Sequence, residues 1–293
     1  MNNNRKIVAL GFFDGVHRGH QALLAACCRM AEQSGCVPAA VTFDLPPSAV
    51  LLGRAPNMIT TLSDRTRLLE QFGMAQVKIL PATTETLSQP WQEFLQSLVE
   101  QGVAGFVCGE DFRFGHRGEG NAEILQAFAK AQGLPCCVIP EQRLDGEKIS
   151  STRIRGLLET GETEYANSLL GHPHILTGTV VTGQQLGRTI GIPTANLRLP
   201  AELLTPKFGV YACMAHVGDE KYKAVTNIGT RPTVAGEGVT VEAWLLDFQG
   251  DLYGKELSLE FYKFLRPEKK FSDLEALKAQ IRQDAAETRN FLR

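Results

Sequence analysis

Two histidines three residues apart, His17 and His20, close the segment Leu10-Gly-Phe-Phe-Asp-Gly-Val-His-Arg-Gly-His20. At that spacing both imidazoles can face one side of a first helical turn. Gly11, Gly15 and Gly19 let a nucleotide approach the backbone closely, with Phe12 and Asp14 between them. A helix N-terminus carries unpaired N–H groups and partial positive charge, so it attracts phosphate. Two imidazoles there could donate to a triphosphate and stabilise charge developing at the α-phosphorus. One histidine as a helix cap and the other on the surface is a second reading. A zinc pair is a third, but no Cys or carboxylate stands at ligand spacing.

A second constellation, Lys148-Ile-Ser-Ser-Thr-Arg-Ile-Arg155, opens a predicted helix. Ser150, Ser151 and Thr152 supply hydroxyls, and Arg153 and Arg155 follow. As a plain N-cap this is electrostatically poor, because cations are disfavoured at a helix N-terminus. A bound anion removes the conflict. A third segment, Cys108-Gly-Glu-Asp-Phe-Arg-Phe-Gly115, puts Phe112 and Phe114 beside a strand end, where they suit a flat ring or serve as core.

The C-terminal half has its own set. Gly183, Gly187 and Gly191 punctuate a loop that could fold over phosphates, though no Gly-Lys-Ser/Thr follows as in a Walker A motif. The loop ends in Pro193-Thr-Ala-Asn196. The Thr194 hydroxyl and Asn196 amide oxygen are hard donors suited to Mg²⁺, although Pro and Asn also suit a simple turn. In Val239-Thr-Val-Glu-Ala-Trp-Leu-Leu246, Glu242 points away from the valine face. Aimed into a small barrel, it could take the proton from an attacking hydroxyl. A merely solvent-facing strand glutamate is the alternative.

These residues need elements to hold them. The pattern predicts strands at 5–13, 37–44, 76–80, 104–109 and 135–140, and helices at 19–34, 62–72, 91–101, 121–132 and from 151. Strands alternating with helices imply an α/β, Rossmann-like parallel sheet covered on both faces. After Gly171-His-Pro-His174 the pattern changes to short apolar segments broken by Gly and Pro, which predicts an antiparallel barrel or sandwich. Residues 272–292 read as an amphipathic C-terminal helix, with Ser272 as N-cap and Glu275 completing a capping box. The expected division is 1–171 and 172–293.

Composition bounds the rest. With 43% hydrophobic and 21% charged residues over 293 positions, long disorder is excluded and two domains are expected. A net charge of -2 with no basic block argues against a nucleic-acid partner. The seven cysteines are odd in number and lack a C-x-x-C, so a reduced cytoplasmic protein is expected. No apolar run reaches the roughly 20 residues of a membrane helix. Oligomeric state stays open.

The combination of GFFDGVHRGH, ISSTRIR, GEDFRFG, GRTIGIPTAN, NIGTRPT, VEAWLLDF and FLRPEKKF resembles the bifunctional bacterial riboflavin kinase/FAD synthetase family along essentially the whole chain. The resemblance implies a nucleotidylyltransferase domain followed by a six-stranded antiparallel barrel with a C-terminal helix. It implies phosphorylation of riboflavin to FMN in the C-terminal half and adenylylation of FMN to FAD in the N-terminal half. ATP, riboflavin and FMN would be substrates and Mg²⁺ the metal. ATP would meet Gly11, Phe12, Asp14, Gly15, His17, Gly19, His20, Ser150, Ser151, Thr152 and Arg153, and in the second half Gly178, Gly183, Gly187 and Arg188. Flavin would meet Asp111, Phe112, Phe114, Asn121, Arg231 and Arg266. Thr194 and Asn196 would bind Mg²⁺, with Glu242 as general base. Pro46 and Trp244 stand where the family usually carries histidine. Two rival readings are a one-reaction nucleotidylyltransferase with a flavin-binding C-terminal half and a flavin-sensing protein without turnover.

Overall fold

The computed structural model describes residues 5–53, 56–183, 187, 191–233 and 236–293, without the side chains of 231–237. Contacts divide the chain into two compact units. One comprises the N-terminal residues through Pro56 together with Leu62–Ser151, and the other Asn57–Thr61 with Thr152–Arg293.

In the first unit the apolar runs become parallel strands β1 (Lys6–Leu10), β2 (Val37–Phe43), β3 (Gln76–Leu80) and β4 (Val103–Gly109). Two-residue strands β5 (Arg113–Phe114) and β6 (Gly120–Asn121) form a small ribbon, β7 (Cys136–Ile139) ends the sheet, and β8 (Arg143–Leu144) pairs with β9 (Glu147–Lys148). The sheet order is β3-β2-β1-β4-β7, all parallel. Strand order therefore reverses between β1 and β4, where an open α/β sheet leaves a crevice. The helices are α1 (Arg18–Ser34), α2 (Pro47–Leu52), α3 (Leu62–Gln71), α4 (Thr84–Ser88), α5 (Trp91–Glu100) and α6 (Ala122–Ala131). Helix α1 ends at Gly35, whose φ of 61° closes the last turn in the left-handed region. β1 stops at Leu10 rather than running to residue 13, because Phe13 (φ 62°) and Gly15 (φ 77°) turn the chain into a 3-10 turn at Asp14–Val16.

The second unit begins with helices α7 (Ser151–Thr160, of which Ser151 belongs to the first unit) and α8 (Thr163–Leu170). Strands β10 (His174–Val181), β11 (Ala195–Arg198), β12 (Gly209–Val217), β13 (Glu220–Thr233), β14 (Gly236–Leu245) and β15 (Glu256–Arg266) close a barrel in the order β10-β11-β14-β13-β12-β15, every pair antiparallel. Its interior is filled by Tyr211, Cys213, Ala243, Leu259 and Phe261, all fully buried. Asn167 fastens α8 to the barrel, donating from its amide to Phe261 O at 2.8 Å and accepting from His174 N at 2.8 Å. The chain ends in α9 (Leu274–Phe291). Its N-cap is Asp273, not the expected Ser272: Asp273 Oδ1 accepts from Ala276 N at 2.8 Å, while Ser272 bonds to the Asp273 carboxylate at 2.9 Å. The ionised carboxylate is the stronger acceptor for the helix dipole.

His174 is buried with neither ring nitrogen hydrogen-bonded among the described residues, and burial, aided by His172, pushes its pKa down from 6.5 to about 3. The folded state thus disfavours the proton. Stability is complete above pH 6.5 and is lost as the pH falls from there towards 3. The expected loss is about 2 kcal/mol on going from neutral pH to about pH 5. Urea denaturation followed on the second unit checks it, and His174→Phe should flatten that slope.

Candidate active sites

The β1–β4 crevice of the first unit holds a cavity of about 410 Å³. Gly11, Phe12, His17, Gly19 and His20 line it from the β1–α1 connection, Ser150 and Ser151 from the start of α7, and Asp111 and Phe112 from the end of β4. The two histidine rings stack at 3.7 Å between centroids with 12° between planes. His17 is itself the N-cap of α1, its Nδ1 accepting from His20 N at 3.3 Å. That contact fixes Nδ1 as the unprotonated nitrogen and leaves Nε2–H as a donor. The capping alternative therefore applies to His17. Gly19 makes the geometry possible, since a Cβ there would lie 3.1 Å from the His17 ring. Gly11 does the same for the Phe13 ring, 2.9 Å away.

His20 keeps part of its ring on the cavity wall while its Nδ1 is buried without a hydrogen bond. Its pKa lies well below 6.5, chiefly from burial and then from His17 and Arg65. Two stacked imidazolium ions would repel strongly in such a site, so neutral N–H donors are what this pair offers an anion. Ser151 Oγ donates to Asp14 O at 3.0 Å, which joins the second constellation to the first. Asp14 itself is buried and Gly15 supplies the left-handed turn behind it.

Other expected residues lie elsewhere. Phe114 is in the hydrophobic core with Phe94, not on the cavity wall; Phe112, stacked on it at 5.4 Å, is the one that reaches the cavity. Asn121 caps α6, its Oδ1 accepting from Ile124 N at 2.9 Å. Thr152 and Arg153 fall in the second unit, where the Arg153 guanidinium bonds to Tyr165 Oη at 2.8 Å. Asp111 is ion-paired to Lys148 at 2.8 Å, and Lys148 also reaches Glu141 at 3.2 Å. Arg65 behind Phe12 was not marked by any motif. Its signal is a cation standing in the apolar stripe of α3, three and four residues before Leu68 and Leu69.

The second unit holds a cleft of about 570 Å³ between the outer face of the barrel and α9. Here the structure corrects an expectation. Along β14, Val241, Ala243 and Leu245 fill the barrel, so Glu242 and Trp244 point outward into the cleft, not inward. Register places Asn196 of β11 and Asn227 of β13 directly opposite Glu242 on either side. Opposed residues share a face with Cβ atoms ~5 Å apart, so the three polar groups form a row. Thr194 lines the same cleft. Two glycines before it are tightly placed: a Cβ on Gly183 would lie 2.5 Å from the Asn196 amide nitrogen, and one on Gly187 would collide with Ile192 O. Gly178 is similarly tight, 2.6 Å from Arg198 O, but lies within β10 and not on the cleft wall. Arg188 and the side chain of Arg231 lie outside the described residues.

The opposite wall is apolar, with Val225 and Trp244 facing Leu274, Leu277 and Ile281 of α9. Such a slot suits a flat ring with a polar tail. Arg266 borders it and clamps α9 to β15, donating from Nε to Asp284 at 3.1 Å and from NH2 at 2.7 Å, with Asp284 almost fully buried. Asn227 donates to Glu268 at 3.2 Å.

The two halves match two family models: FAD synthetase over residues 1–153 and riboflavin kinase over residues 170–292. Curated relatives match nearly end to end. A bifunctional riboflavin kinase/FMN adenylyltransferase from Listeria monocytogenes is 38% identical, covering 98% of this chain and 92% of the relative. One from Escherichia coli K12 is 36% identical, with 97% and 92% covered. A crystal structure described as a macrolide-efflux protein from Streptococcus pneumoniae superposes with a TM-score of 0.88 at 31% identity, covering 98% of this chain and 94% of that one. Among the described residues of the present chain, no helix is long and apolar enough to cross a membrane.

Proposed function

This chain belongs to the bifunctional riboflavin kinase/FMN adenylyltransferase family, and from that premise we propose which of its residues perform each reaction. The enzyme phosphorylates riboflavin to FMN with ATP in its C-terminal part and adenylylates FMN to FAD in its N-terminal part, releasing pyrophosphate. The single-reaction and sensor readings are thereby set aside. We take residues 1–171 as the adenylyltransferase and 172–293 as the kinase. Between the two matched spans lie most of α7 and all of α8 but Leu170.

For the kinase, the row Asn196–Glu242–Asn227 beside the apolar slot carries the reading. Glu242 accepts the proton of the ribityl hydroxyl as that oxygen attacks the γ-phosphorus, and ADP leaves. Thr194 and Asn196 present hard oxygen donors at the edge of the glycine loop, which fits Mg²⁺ arriving with ATP. Bound there, Mg²⁺ would neutralise charge on the phosphates. Riboflavin's ring lies along Trp244 and Leu277, with Arg266 holding α9 against it. Gly183→Ala should drive the new methyl into the Asn196 amide and displace it. A misplacement near 1 Å lowers rate on the order of 10²-fold, so riboflavin kinase turnover should drop steeply while FAD formation from supplied FMN is kept. Steady-state assays of both reactions on one preparation check this.

For adenylyl transfer, the stacked His17 and His20 facing Ser150 and Ser151 across one cavity carry the reading. The FMN phosphate attacks the α-phosphorus of ATP, and pyrophosphate departs as neutral imidazole N–H groups and hydroxyls hold its oxygens. No protein nucleophile is needed: the buried thiols of Cys27 and Cys108 are pushed up to about 12 and do not ionise. Phe112 offers a face to the flavin. A single incubation with riboflavin and Mg-ATP, following FMN, FAD, ADP and pyrophosphate together, tests the order. FMN should rise before FAD, and ADP before pyrophosphate.

A further inference from the structure

Arg65 of α3 is 1% exposed, and nothing in the chemistry above uses it. Its NH2 donates to Phe43 O at 2.6 Å and Asp44 O at 3.2 Å, at the end of β2. Its guanidinium carbon lies 4.3 Å from the centre of the Phe12 ring, which lines the ATP cavity. Nε and NH1 have no hydrogen-bond partner among the described residues. A buried cation with two idle donors is expensive to keep. A purely structural contact between α3 and β2 would be made at lower cost by an apolar side chain.

We propose that Arg65 is a positioning residue of FMN adenylylation: a permanent cation buried behind Phe12 that fixes the β1 and β2 strand ends and supplies the site's positive potential to the phosphates from behind the imidazole pair. The reading rests on ATP occupying the His17/His20 cavity. The Phe12 segment is held from both sides, by Arg65 on its ring and by Thr42, whose hydroxyl donates to Phe12 O at 2.8 Å. Stacked neutral imidazoles donate hydrogen bonds but carry no net charge, whereas a triphosphate demands it. Burial lowers the Arg65 pKa to about 10 while Asp14 and Asp44 hold it up, so it is charged throughout the physiological range. The groups acting on His20 are His17, the N-cap of α1, and Arg65 on α3, and Arg65 in turn is faced by Asp14 on the 3-10 turn and Asp44 at the end of β2. Glu110, Arg113, Glu141 and the Lys148–Asp111 pair line the same cavity. Arg65 is the cation among them that depresses His20, after burial and His17. The positive charge at the site is thereby moved from a group that titrates to one that does not.

The test uses the full chain with Arg65→Met and Arg65→Lys. Riboflavin phosphorylation in each preparation reports the second unit, and the amide NMR spectrum reports the first. Arg65→Met should lower FMN adenylylation by about 10- to 100-fold. It should also move the acid limb of the kcat/KM profile to higher pH, and raise the His20 titration seen at its ring Cε1–H. Arg65→Lys, which keeps the charge but cannot span both carbonyls, should restore the wild-type pH profile at reduced kcat. A Met variant whose profile and His20 titration overlay the wild type, with the rate merely scaled, overturns the proposal. If the Met variant does not fold, the Lys variant decides: reduced kcat with an unmoved profile supports it, and wild-type kcat and KM overturn it. His17→Asn with undiminished FAD formation would instead remove the site assignment on which it rests.

Discussion

Riboflavin phosphorylation falls by about 10²- to 10⁴-fold when Glu242 is replaced by glutamine, while the same preparation still converts supplied FMN to FAD. The size follows from what the substitution removes. Glutamine keeps the shape and one oxygen of Glu242 but cannot accept a proton at neutral pH. The row with Asn196 and Asn227 survives, so ground-state binding should change little and the loss should fall on kcat. Glu242→Ala should lose at least as much and also leave Asn196 and Asn227 without the carboxylate between them. Measuring both steps on one sample removes folding as an explanation, because the adenylyl step rests on the other compact unit. Full-rate FMN formation by Glu242→Gln would rule out the base.

Exchange of His17 for asparagine should lower FMN adenylylation by about 10²- to 10³-fold, the usual effect of deleting one preorganised donor to a developing oxyanion. Asparagine is chosen because His17 does two jobs. Its Nδ1 caps α1 and its ring lines the cavity. Asn is among the best N-caps, so His17→Asn keeps the helix start and deletes the donor. His17→Ala deletes both, and its additional cost of about 0.5–2 kcal/mol should appear in thermal stability. The kinase rate should be untouched by either. Should the asparagine variant make FAD at the wild-type rate, the imidazole is a cap alone.

The parallel sheet was legible because each buried strand is a short apolar run bounded by Gly, Pro or a helix start, and the five strands fall within a few residues of their expected places. The barrel was legible as a change of period after His174. Which face of β14 turns inward was not. Alternation separates Glu242 from Val241 and Ala243 but says nothing about curvature, and only the packing of α9 on the outer face decides it. Alternation could not sort Phe112 from Phe114 either. Phe112 lies in the connection before β5 and Phe114 on β5 itself, so no strand alternation relates them, and the core takes Phe114 while the cavity takes Phe112. Asn121 had the sequence of a cap and is one. α8 went unseen because it is a single short helix whose tie to the barrel, Asn167, is a long-range contact. The histidine pair was found by spacing, while the cation behind it was hidden inside an ordinary amphipathic helix.

Along β14 the alternate residues answer to separate masters. Val241, Ala243 and Leu245 are buried on the barrel side, while Glu242 and Trp244 line the cleft, where Trp244 also packs against buried Val210, Val225, Leu246 and Ala285. A lineage that exchanges the residue at position 244 therefore leaves the barrel filling alone but must refit the apolar layer between the barrel and α9.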